Sequence, residues 1–182
     1  TTLLFIIFSP LITMRLFSEE EKLGTLELLL TSPVKDWEIV MGKYLASTVI
    51  LISTLLCTFF YVILIFIYST PDFGPLLSAY LGIILYGIAT LSVGLFASSL
   101  SSNQIVSAVV GIVILLLLSF LDSLGAMLDG IPSTIFNEMA LNYHYGDFTK
   151  GVIDIRNIVY YFSTASIFLF FTVLILEMRR WR

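Results

Sequence analysis

The densest chemistry in this 182-residue chain lies in one segment, Ser18–Thr31, which reads SEEEKLGTLELLLT. Three consecutive carboxylates, Glu19, Glu20 and Glu21, are followed by Lys22 and, one turn later, Glu27. Acidic side chains in such a run suit ion pairing with a basic surface. Elsewhere reactive groups are sparse. The single histidine, His144, lies outside the apolar stretches, where a structural role is favoured over a ligand or switch role. The single cysteine, Cys57, sits among Leu55, Leu56, Phe59 and Phe60 and reads as a membrane-facing or packing residue. No GxxxxGK[ST] loop occurs, so this chain does not hydrolyse ATP itself. No His/Cys/Asp cluster has metal-ligand spacing, and no cofactor is expected.

Ser18–Thr31 reads as a short helix. Ser18 at the cap and Glu21 three residues on form a capping box. The three glutamates then lie in the first turn, where the helix dipole favours negative charge. At 100° per residue, Glu20, Gly24, Glu27 and Thr31 share one narrow face, with Leu23, Leu26 and Leu30 on a neighbouring stripe. Ser32–Pro33 breaks this helix and starts the next, Ser as N-cap and Pro at the first helical position. A helix lying on a membrane normally shows Lys and Arg on its polar face. An acidic face suits a basic protein surface better, so the segment is either a solvated connector or a docking helix for a cytosolic partner.

The elements that hold this segment are apolar. Hydrophobic residues make up 58% of the chain and charged residues 12%, with a net charge of −4. That much apolar surface cannot be hidden by a soluble domain of this size, which excludes a water-soluble enzyme. Disorder is excluded by the same numbers. No basic run points to nucleic acid. Four charge-free stretches, 44–69, 76–97, 104–121 and 158–176, are long enough to cross a bilayer or nearly so. The fifteen Leu, Ile, Val and Phe residues of 44–69 alone favour insertion by roughly 4–9 kcal/mol. Backbone groups in hydrocarbon must be paired internally, so these stretches are helices. Residues 1–14 are too short to span and read as the inner end of a span that begins earlier. The expectation is an all-α polytopic bundle, one membrane domain over 1–182.

Alternation of the spans gathers Arg15, Lys22, Lys35, Lys43, Arg179, Arg180 and Arg182 on one side, against Lys150 and Arg156 on the other. The positive-inside rule makes the first side cytoplasmic, with the 15–43 loop and the C-terminus there. The plasma membrane is the expected location, with lipid around the bundle. Tyr44, Tyr160, Tyr161 and Trp181 sit near span ends, as interfacial aromatics do. No ionisable residue lies inside a span, which argues against ion coupling and for energy supplied from outside. An intramembrane protease would need His or paired Asp there as well as Ser. Ser47, Thr48, Ser53, Thr54, Thr58, Thr90, Ser92 and Gly94 either pack helices or line a path for amphipathic cargo. The 122–156 segment, with Gly and Pro among apolar runs, reads as one or two short helices at the outer leaflet, a gate or a simple cap.

Three blocks carry a resemblance: PLITMR (Pro10–Arg15), EEEKLGTLELLLTSPV (Glu19–Val34) and GKYLA (Gly42–Ala46). They resemble permease subunits of ABC-2 type ABC transporters. A later block, His144-Tyr145, Phe148, Gly151-Val152-Ile153-Asp154 and Arg156, resembles the segment before the last helix in the branch with gliding-motility and nitrous-oxide-reductase-maturation permeases. It departs at Asn142-Tyr143, where Ser–Pro is common. The resemblance covers nearly the whole chain and implies a six-span permease half, its first span missing here and its second truncated. It implies a second half, identical or paralogous, and separate ABC ATPase subunits. It makes 18–31 an amphipathic cytoplasmic coupling helix in which Glu20, Glu21, Gly24, Thr25, Glu27 and Leu28 contact the ATPase. The alternative is a non-transporting membrane anchor of a motility or secretion complex that docks the same type of ATPase.

Overall fold

A computed structural model describes residues 2–30, 34–68 and 72–180, apart from the side chains of Glu27, Leu28 and Leu30. Among the described residues every regular element is helical: α1 (Thr2–Thr13), α2 (Arg15–Lys22), α3 (Thr25–Leu30), α4 (Asp36–Tyr68), α5 (Phe73–Leu100), α6 (Gln104–Ala126), α7 (Ile131–Met139), α8 (Leu141–Thr149) and α9 (Ile155–Arg180). Five helical stretches are long and apolar enough to cross a membrane: 2–22, 36–68, 73–100, 104–126 and 155–180. The chain is an all-α polytopic membrane bundle.

The centre of the bundle is α5, which packs against α1, α4, α6, α8 and α9. Its composition explains the position. From Ser78 to Ser99 its buried face carries Gly82, Gly87, Ala89, Thr90, Ser92, Gly94, Ala97 and Ser98 between larger residues. Between membrane helices the driving force is close packing, and small residues let backbones approach. A β-carbon on Gly82 would lie 2.6 Å from Phe148 Cβ, so this glycine is what admits the α8 ring. Thr90 and Ser92 bond their own helix, to Gly87 O at 3.1 Å and Ala89 O at 2.7 Å. Ser47, Thr48, Ser53, Thr54 and Thr58 likewise donate to carbonyls three or four residues back in α4. Apart from a contact between Thr58 and the Tyr80 hydroxyl, these hydroxyls close on their own backbone. Ser53 and Thr54 are exposed on α4, as is Cys57.

At the end of the bundle away from α2, α7 and α8 fold back as two short helices. Side chains of the long helices donate to the backbone carbonyls of these two. Tyr160 and Tyr161 of α9 donate to Met139 O (2.7 Å) and Leu141 O (2.9 Å), and Ser78 of α5 donates to Phe148 O (2.9 Å). Asn142 donates to Ser119 O and accepts from the Tyr86 hydroxyl, so it stitches α8 to α6 and α5. His144 is buried, with Nδ1 2.7 Å from Asn157 Oδ1 and Nε2 3.1 Å from Glu138 O, and its ring stacks on Tyr160 at 3.9 Å. Two of the tyrosines at the span ends turn into the protein. Tyr44 and Tyr161 are buried, because Ile88 O and Leu141 O give their hydroxyls acceptors inside the protein. Trp181 lies outside the described residues.

Gly82→Val should separate α8 from α5, since the added atoms meet Phe148. Overpacking of this kind costs about 1–3 kcal/mol. Thermal unfolding in detergent should show a lowered midpoint for Gly82→Val, with a smaller loss when Phe148→Leu is added.

Candidate functional site

The acidic segment folds as two helices, not one. A proline inside α1, Pro10, has no N–H for the ladder. The helix nevertheless continues: Met14 N bonds Pro10 O at 2.8 Å, and α2 starts at Arg15. Ser18 is therefore inside α2, fully buried, and its hydroxyl donates back to Met14 O. It does not cap, and Glu21 is drawn elsewhere. The helix ends at Leu23 and Gly24, whose amides bond Glu19 O (3.0 Å) and Glu21 O (3.1 Å). Gly24 has φ +71°, the left-handed conformation that favours glycine after a helix. No heavy atom lies within 4 Å of a β-carbon built there, so within this chain its requirement is conformational. The turn breaks the common face expected for Glu20, Gly24, Glu27 and Thr31. Thr31, Ser32 and Pro33 lie outside the described residues, as do the side chains of Glu27 and Leu28.

Two charges of α2, Glu20 and Glu21, point toward the bundle, while Arg15 and Lys22 are exposed. Lys43 Nζ of α4 lies 2.5 Å from Glu20 Oε1 and 2.6 Å from Leu16 O, and 5.0 Å above the Phe17 ring. Arg179 of α9 ion-pairs with Glu21 and donates to Ser99 O at 2.8 Å. Arg180 pairs with the buried Asp36 at the start of α4, at 3.5 Å. Ser98 of α5, fully buried, donates to Met14 O at 2.8 Å and accepts from the amides of Phe17 (3.1 Å) and Ser18 (3.3 Å). So α2 is tied to α4, α5 and α9 at once. At its C-terminal end the turn faces outward: Lys22, Leu23, Gly24 and Thr25 are all exposed, Leu23 at 69%. Thr25 opens α3 and its hydroxyl reaches back to Glu20 O at 3.3 Å. Leu26 is buried against the core of Phe17, Val40 and Tyr44.

Of the six residues singled out in the sequence, then, Glu20 and Glu21 hold the bundle, while Gly24 and Thr25 form the exposed turn. Lys43, Arg179 and Ser98 were not among them. The basic pair was visible only as charge at span ends, and Ser98 carried no signal beyond a small polar side chain.

The family described as ABC-2 family transporter protein matches residues 1–176. The chain belongs to the ABC-2 transporter family. It is 30% identical over 138 residues to "Probable multidrug ABC transporter permease YbhR" of Escherichia coli (strain K12), and to the same protein of Escherichia coli O157:H7. The match takes in 74% of this chain and 37% of those relatives, so the chain spans well under half their length. No solved structure matches it.

Lys43→Ala should leave Glu20 unpaired and Leu16 O without its partner. The Lys43 side chain is only 15% exposed, so the cost should reach about 1–2 kcal/mol, above that of an open surface pair. A double-mutant cycle with Glu20→Gln, read by thermal unfolding, should give a coupling of about 1 kcal/mol.

Proposed function

We propose that this chain is the membrane subunit of an ABC transporter and takes its power stroke from separate ATPase subunits through the α2–α3 hairpin. One observation carries the reading: α2 is fastened to three long helices and ends in an exposed turn. A partner that grips the turn therefore pulls on α4, α5 and α9 together. Rigid packed helices convey such a displacement as a body. Membership of the ABC-2 family supports the same assignment. The basic residues Arg15, Lys22, Lys35, Lys43, Arg179 and Arg180 lie on the spans and connections at this end, and the positive-inside rule supports a cytoplasmic side for it.

The division of labour within the hairpin follows from the contacts. Gly24 and Thr25 form the docking portion, joined by Leu23, and Glu27 and Leu28, whose side chains lie outside the described residues, are kept with them on the family resemblance. Glu20 and Glu21 act behind it by holding Lys43 and Arg179. The cargo is apolar or amphipathic. A cleft of about 290 Å³ between α1 and α4, floored by Leu91 of α5, is lined by Leu4, Phe5, Phe8 and Ile12 on one side and Leu51 and Leu55 on the other. Among the described residues no ionisable side chain lines it. The multidrug name of the relatives fits cargo of that class.

Co-purification of the ATPase from the same operon tests the docking claim. Leu23→Asp and Glu27→Lys should each lower its recovery about tenfold, the loss expected when an interface anchor is removed. Glu20→Gln should leave recovery close to that of the unaltered chain. Equal recovery with all three would overturn the assignment of the hairpin.

A further inference from the structure

We propose that Ser98 is the positioning residue through which movement of α2 reaches α5, the α1–α2 junction being a hinge and Ser98 its pivot. The inference rests on the reading of the α2–α3 hairpin as the driven element.

A serine hydroxyl has one hydrogen to give and two lone pairs to offer. Ser98 uses all three on the junction: it donates to Met14 O and accepts from the amides of Phe17 and Ser18. Those amides belong to the first turn of α2, whose N-cap residue, Met14, supplies no capping side chain. The cap comes instead from a helix some 80 residues away in the chain. It is fully buried, so water cannot take its place.

The surroundings are those of a hinge. Pro10 interrupts the hydrogen-bond ladder one turn before Met14. One turn before Ser98 on the same helix stands Gly94. A β-carbon there would run into Thr13 Oγ1 and lie 3.2 Å from Pro10 Cα. On α6 a β-carbon at Gly111 would lie 3.0 Å from Pro10 Cβ. The α5 backbone thus meets that of α1 at Pro10, and α6 meets the Pro10 ring, which leaves little side-chain layer there to absorb a tilt of α2. The other ties to α2 run through Lys43 and Arg179, whose long stems convey a pull along them but can follow a rotation of α2. The Ser98 array is short and directional, and it cannot. Motion of α2 about this point is passed to α5, which holds α8 at its far half through Ser78, Gly82 and Tyr86.

The test uses the permease with its ATPase in phosphatidylethanolamine/phosphatidylglycerol nanodiscs, with Cys57→Ser in the background. One spin-label pair, at Glu19→Cys and Ile105→Cys, reports α2 against α6. A second, at Leu77→Cys and Ile131→Cys, reports α5 against α7. Each distance is measured without nucleotide and after trapping with ATP and vanadate. With Ser98 present both pairs shift on trapping. In Ser98→Ala the α2 pair still shifts, while the shift of the α5–α7 pair falls by about half or more. Ser98→Thr and Ser98→Val, alike in shape, give the control should the alanine variant not assemble: the threonine keeps the second shift and the valine loses it. If Ser98→Ala and Ser98→Val both leave the α5–α7 shift unchanged, Ser98 is not the pivot. If the α2 pair is motionless with Ser98 in place, the hairpin is not driven by the ATPase, and the pivot falls with it.

Discussion

Hydrocarbon offers no hydrogen bonds, so a polar atom that enters the bundle must find its partner there. This constraint accounts for most of the architecture. Serine and threonine hydroxyls of α4 close on their own helix. On α5 hydroxyls also join helices, as Ser78 does to α8 and Ser98 to α2. The hydroxyls of Tyr44, Tyr160 and Tyr161 likewise find backbone carbonyls as acceptors. The short helices α7 and α8 can lie against the bundle because their ends borrow donors from α5 and α9.

The central helix meets this constraint together with a second one, packing without hydrophobic drive. Small residues on α5 bring neighbouring backbones close, and close backbones leave a hydroxyl within reach of a neighbour's amides. Gly94 and Ser98 illustrate the pairing one turn apart. The glycine admits Thr13 and Pro10, and the serine then reaches the first turn of α2. At the other half of α5, Gly82 admits Phe148 and Ser78 bonds its carbonyl.

The helical bundle was legible in the residues because span length and charge exclusion are properties of a stretch, readable without neighbours. The acidic segment was legible as a helix-forming region near a basic end, but its detail was not. SEEE matches a capping box locally, yet a cap needs the preceding chain to be non-helical. The chain runs on from α1 through Met14 into α2 despite Pro10, so Ser18 falls inside a helix. Helical periodicity was also carried past Gly24, where the left-handed backbone ends it. Glu20 and Glu21 looked outward because nothing in a sequence says which distant cation they face. Lys43 and Arg179 lie 23 and 158 positions from their partners, and only the packing of α4 and α9 brings them in.

That inward pairing bears on how an acidic helix can serve as a lever at all. Three carboxylates in a row repel one another and would favour a solvated, loosely held helix. Two of them are neutralised from the bundle side, which fixes α2 and leaves the tip, Leu23–Thr25, free of that duty. The tip then needs no net charge to dock: an exposed leucine beside a left-handed glycine presents apolar area and bare backbone together. A partner that used its basic groups on Glu20 or Glu21 would compete with Lys43 and Arg179 and loosen the very connections that convey force. Grip and transmission are compatible only when they fall on different residues, and the break at Gly24 is what separates them.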